Sequence, residues 1–184
     1  MTKIYANGAF TEEAWVRLEA DETLPAHPFA DGQRRKVSLA RFLADPAAVI
    51  AAGDDAAVVI AAGEDVQQLE PHLARLPRVL VEFPKFTDGR GFSAARILRE
   101  QLGYAGDIRA IGDFILDQIP LMRRCGVSSF EIVKPQIEAA LKAGHWPEVT
   151  HYLQPVGTVA EIPAGTRPWA RRPAAPQKPT QAAG

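Results

Sequence analysis

Cysteine is nearly absent from this chain: among 184 residues there is one, Cys125. A single thiol cannot close an internal disulfide. Nor can it supply the cysteine set of an iron–sulfur cluster or a structural zinc site. A basic excess is missing too. Lys and Arg number 21 against 22 Asp and Glu, a formal net charge of -1, which lacks the electrostatic footprint of a protein that coats nucleic acid. No segment approaches the roughly 18 consecutive apolar residues of a membrane span. Met1–Gly8 also lacks the apolar run of a signal peptide. These absences lead to the expectation of a reducing, cytoplasmic setting with no membrane and no nucleic-acid partner.

Catalytic fingerprints are scarce as well. His27, His72, His145 and His151 show no metal-ligand spacing on a shared helix face. No Ser-His-Asp set has its members at strand ends. Neither a Gly-Lys-Ser/Thr phosphate loop nor a GxGxxG fingerprint is present. Arg123-Arg124-Cys125 closes a predicted helix, where the positive charges suit the helix dipole and the carbonyl end disfavours a thiolate.

What is present is the ordinary mixture of a globular protein, 47% apolar and 23% charged. Asn7-Gly8 is a tight-turn signal, because both residues tolerate positive φ. It predicts a hairpin-like element within residues 1–35, packed onto the body by Trp15, Val16 and Leu18 and followed by a loop. Ser38 reads as the N-cap of a short helix, 39–43. An alternation then begins. The apolar run 57–61, β-branched at its centre, predicts a buried parallel strand. A helix over 65–76 follows, with Val66, Leu69, Leu73 and Leu76 at helical spacing. Strands are expected at 78–83, 107–111 and 129–133, and helices at 93–102, 113–125 and 135–143. Pro120 should kink or split the second of these helices, and Pro135 suits the first turn of the third.

Four βα units, recurring about every 20 to 30 residues, define an α/β domain over 36–155 with a parallel sheet covered by helices. Strand order is not readable at this level, so an open doubly wound sheet and a partial barrel both remain. The Pro- and Ala-rich segment 156–184 reads as disordered.

Ligands of parallel α/β folds gather at strand C-terminal ends. The loop Phe83-Pro84-Lys85-Phe86-Thr87-Asp88-Gly89-Arg90-Gly91-Phe92-Ser93 joins a strand to a helix at that edge. Gly89 and Gly91 leave room for backbone N–H donors, and Lys85 and Arg90 add positive charge, a composition suited to a small anion or a partner's carboxylate. The candidate site is therefore Lys85, Thr87, Asp88, Gly89, Arg90, Gly91 and Ser93, with Asp113 and Lys134 from the next two strand ends. The alternative is a self-satisfied turn in which Asp88 pairs with Arg90 and Ser93 caps the helix.

This loop, together with Arg96 and Leu98-Arg99-Glu100, Ile108-Arg109-Ala110-Ile111-Gly112-Asp113, Asp117-Gln118 and Met122-Arg123-Arg124-Cys125-Gly126, resembles a bacterial family of unknown function often labelled an oxidoreductase of sulfite reduction. The resemblance extends over about residues 3–143. It implies a role in assimilatory sulfate reduction, with sulfite reductase or its electron donor as partner, and it brings no catalytic residues with it. Three readings follow. One is an accessory protein binding a partner or small anion at the Lys85–Arg90 edge. Another is an enzyme binding a flavin or a phosphorylated small molecule there, with Asp113 as acid or base. The third is a purely structural interaction protein.

Overall fold

A computed structural model describes residues 1–18, 22, 24–147, 151, 152, 161–164 and 167–174. Strand β1 (Thr2–Ala6) turns through Asn7 (φ 50°) and Gly8 (φ 84°) into β2 (Ala9–Glu13). Two successive positive φ angles make the two-residue hairpin loop that the Asn-Gly pair predicts. After Ala14 the chain continues as β3 (Trp15–Arg17). Next come β4 (Arg34–Ser38), helix α1 (Leu39–Ala44) and α2 (Pro46–Ala51). Ser38 caps α1 by accepting from the Arg41 amide, and Asp45 caps α2 by accepting from that of Ala48.

The alternating part is β5 (Ala56–Ile60), a 3-10 helix (Val66–Arg75), β6 (Arg78–Phe83) and α3 (Arg90–Arg96), which runs into a π-helical turn (Ile97–Gln101). It continues with β7 (Asp107–Gly112), a 3-10 turn (Leu116–Gln118), α4 (Ile119–Arg124), β8 (Ser129–Ile132) and α5 (Pro135–Lys142). Pro120 splits its helix as expected, and it lies in the first turn of α4. The helix expected from Ser93 begins three residues earlier, at Arg90. Within the segment expected to be disordered, β9 (Glu161–Ala164) and β10 (Arg167–Pro173) pair antiparallel. Tyr152 bridges to Arg171, and the Arg124 guanidinium lies 3.8 Å from the Tyr152 ring centroid, which ties this ribbon to α4.

The main sheet has eight strands in the order β2-β1-β8-β7-β6-β5-β4-β3. Strands β3 to β8 are parallel and lie in chain order, whereas β1 is antiparallel to both β2 and β8. A doubly wound sheet reverses its strand order midway. This sheet does not, so of the two topologies left by the sequence the structure follows the barrel-like one. The extended segment 9–17 pairs with β1 through its first half and with β4 through its second, so the same stretch of chain stands at both ends of the strand order. The result is a nearly closed sheet into which the N-terminal hairpin is built.

Alternation along each strand separates two environments. Val58, Ile60, Val79, Val81, Ile108, Ala110 and Phe130 face outward and form one core with helix residues such as Phe42, Leu69, Leu98 and Met122. The residues between them face inward, where Trp15 packs against Ala57, Val59, Leu80 and Ile111. Charges complete the interior and its rim. Lys36 on β4 meets Glu131 on β8 at 2.6 Å, and Arg17 on β3 meets Glu82 on β6 at 2.6 Å. Such contacts between strands several places apart in the sheet require it to curl on itself.

Candidate functional site

The two ends of the sheet differ. At the strand C-terminal end, the loop after β6 is largely satisfied from within. Asp88 accepts from the Arg90 guanidinium at 2.6 Å and from the Arg90 backbone amide at 3.1 Å. These hydrogen bonds, the side-chain ones first, hold the Asp88 carboxyl down at about 2. Gly91 is buried because a Cβ there would meet the Phe83 ring at 2.7 Å, so this glycine serves the close approach of α3 to β6. Gly89 precedes α3 and is exposed, as are Thr87 and Ser93, the latter inside the helix rather than capping it. Lys134 donates to the Phe114 carbonyl at 3.0 Å and pairs with Asp113 at 2.5 Å. Of the expected cations, Arg90 and Lys134 therefore already face carboxylates. Lys85 is exposed and faces no carboxylate among the described residues.

The same edge carries apolar side chains that the sequence reading passed over. Phe86 is 51% exposed, Ile115 36% and Val133 61%. They follow β6, β7 and β8, three neighbouring strands. Gln118 stitches the first two loops together, donating to the Phe86 carbonyl at 2.8 Å while its own oxygen accepts from the Ile115 amide at 3.1 Å. Lys134 joins the third loop through Phe114. Gly112 fixes the spacing between the first two: its φ is +99°, and a Cβ there would lie 2.4 Å from the Phe83 carbonyl oxygen. The sequence reading chose this edge by topology and valued its charges over its hydrophobes.

The strand N-terminal end holds a polar cavity of about 440 Å³, lined by the starts of β6, β7 and β8, the β1–β2 hairpin and the loop before β7. Asp107 is its hub. Its carboxylate accepts from Arg78 Nε at 2.8 Å, from Ser128 Oγ at 2.6 Å and from Ser129 Oγ at 2.8 Å. Burial alone pushes this carboxyl up, but the hydrogen bonds from Ser128, Arg78 and Ser129 and the charge of Arg109 outweigh it and hold the group below its usual range. Arg109, with a side chain only 4% exposed, donates to Ser129 Oγ at 3.0 Å and to Glu13 Oε2 at 2.7 Å. Glu13 also accepts from the Trp15 indole at 2.6 Å and from Arg34 at 2.8 Å. Arg78, Arg109 and Arg34 each stand between 5.7 and 5.8 Å from the Trp15 ring centroid.

None of these cavity residues was read from the sequence as part of a site. A usable signal was there: Glu82, Arg109 and Glu131 each interrupt an apolar strand at a position of the inward face. A charge repeated on one face of successive buried strands points to a polar interior.

Glu13 makes this end acid-sensitive. Burial raises its carboxyl, but the hydrogen bonds from Trp15, Arg109 and Arg34 and the Arg109 charge prevail and lower it to about 2 from 4.5. A depressed folded-state pKa contributes stability that is present above the unfolded value and lost as pH falls through the folded one. Chemical denaturation at a series of pH values should therefore show stability falling between about pH 4.5 and pH 2. Glu13→Gln should flatten that limb by on the order of 2 kcal/mol. An unchanged slope would mean that Glu13 is not held by its partners.

Together these ends define a class: an α/β protein with a nearly closed, sequentially ordered parallel sheet, a charged interior, an apolar patch at one edge and a polar cavity at the other. Residues 57–158 match the model of a family described as a bacterial protein of unknown function (DUF934). The match covers more than half of the chain, and the chain belongs to that family. No curated protein matches it. Among the described residues, no helix is long and apolar enough to cross a membrane.

Proposed function

We propose that this protein is an accessory factor of assimilatory sulfite reduction in the bacterial cytoplasm, and that it docks sulfite reductase or its electron donor on the strand C-terminal edge. The observation that carries the docking part is the patch of Phe86, Ile115 and Val133 on three adjacent strand ends, with the exposed Lys85 beside it. Exposed large hydrophobes grouped in this way suit a protein partner better than a buried small-molecule pocket. A partner with an apolar patch and a carboxylate placed for Lys85 fits the chemistry. The pathway part is supported by the resemblance of the 83–93 loop and the segments around it.

The test is genetic and then biochemical. A strain lacking the gene should fail on sulfate and on sulfite and grow on sulfide. Phe86→Ser with Val133→Ser, both at exposed positions, should leave the fold intact and weaken partner binding by about tenfold or more. It should also reproduce the growth defect. Normal growth of the deletion strain on sulfate would remove the pathway, and full complementation by the double variant would remove the docking edge.

A further inference from the structure

We infer that the cavity at the strand N-terminal end is a binding site for a small oxyanion, distinct from the docking edge and not dependent on that reading. Three arginines, Arg78, Arg99 and Arg109, line it against two carboxylates, Asp107 and Glu13. That leaves one positive charge without a counterpart on the lining. Its location is visible in the contacts. Arg109 is matched by Glu13 and Asp107. Arg99 meets no carboxylate among the described residues: it donates to the carbonyls of Gly126 at 2.9 Å and Gly106 at 3.1 Å, and to that of Tyr104. Carbonyl oxygens orient a guanidinium without neutralising it.

Arg78 supplies the second observation. Its Nε binds Asp107, while its Nη1 is buried and has no hydrogen-bond partner among the described residues. A buried guanidinium N–H without an acceptor is costly, and an anionic oxygen is the acceptor that satisfies it best. Arg78 and Arg99 both line this space, the first with a guanidinium that is not fully hydrogen-bonded and the second with an unmatched charge. Planar forks of this kind favour sulfate-, phosphate- and carboxylate-type groups over chloride. Ser128 and Ser129 already give their hydroxyl protons to Asp107, so the arginines carry the recognition. The volume falls in the usual range of small-molecule sites, so the oxyanion is either a free inorganic ion or the head group of a small metabolite.

Calorimetric titration of the full chain tests this, with sodium sulfite, sodium sulfate, potassium phosphate and glycerol 3-phosphate as probes at constant ionic strength set by KCl. Fluorescence of Trp15, whose ring stands 5.7 Å from the Arg78 guanidinium carbon, follows the same event, and Trp15→Phe assigns the signal. At least one probe should bind saturably with one site per chain. Arg78→Gln, whose amide can still reach Asp107, should weaken that probe by about tenfold or more. Lys85→Ala, at the opposite end, should leave it unchanged. Preference for sulfite or sulfate would identify an inorganic ligand, and preference for glycerol 3-phosphate an organic one. Saturable binding by none of the probes in the wild type overturns the inference, whatever the variants do. So does binding that Arg78→Gln leaves intact, or binding that Lys85→Ala abolishes.

Discussion

Glu131→Ala should cost about 3 kcal/mol of stability, while the double variant Lys36→Met, Glu131→Met should lie within about 1 kcal/mol of the wild type. The two side chains meet at 2.6 Å inside the sheet and are only 12% and 11% exposed. Removing the carboxylate strands an ammonium group among apolar neighbours. Lys36 lies in register with Ala57, and Glu131 with Ile4. Removing both charges leaves unbranched side chains of similar length in an interior already lined by Val59, Leu80 and Ile111. Urea denaturation of Lys36→Met, Glu131→Met and the double variant measures the coupling, and that of Glu131→Ala the cost of the stranded charge. A mild effect of Glu131→Ala would mean that water reaches the pair, and that the sheet is more open than its cross-strand contacts indicate.

The second large effect is expected at Asp107. Asp107→Asn keeps the shape but removes the charge that Arg78 and Arg109 share, and it offers one acceptor where two served both arginines and both serines. The expected loss is about 3 kcal/mol. Ser128→Ala removes one of those hydrogen bonds and should cost about 1 kcal/mol. The order matters more than either value. If both substitutions cost the same, Asp107 is a hydrogen-bond acceptor like any other and not the electrostatic hub of this end. The folded-state pKa of Asp107 is depressed, so its contribution is present above about pH 4 and fades with further acidification.

The central strands were legible because β5 is apolar on both faces and β-branched at its centre, the pattern of a strand covered on both sides, and β6 carries the apolar run Val79-Leu80-Val81. β6 was placed to the residue, and β5 within one residue at each end. β4 was missed for the opposite reason, and β3 was not separated from the hairpin-like element that precedes it. Arg-Arg-Lys-Val-Ser reads as polar, yet Lys36 faces inward, Arg17 of β3 stands at the rim, and both are matched by glutamates from strands far away in sequence. A charge whose partner lies 95 residues on carries no local signal. The 65–76 helix kept its apolar face but took 3-10 geometry around Pro71, which lacks the amide that an α-helix needs.

The sites divide in the same way. Loops at strand C-terminal ends are a topological inference and need only the βα alternation. The arginine cavity requires the starts of β6, β7 and β8 to meet the hairpin of β1 and β2, a juxtaposition created by strand order alone.

That juxtaposition has a kinetic side. β1 pairs with β8, Lys3 opposite Ile132, so a strand synthesised well before the rest of the main sheet adds to that sheet's last strand in chain order. The hairpin can form within microseconds of its synthesis, but it has no neighbour until β8 has emerged. Closing so long a loop is an entropic cost met before any reward from pairing, the signature of high contact order and slow folding. Until β1 docks, β8 presents an unpaired edge, and the nascent chain is at its most prone to aggregate in the interval between the emergence of β8 and that docking.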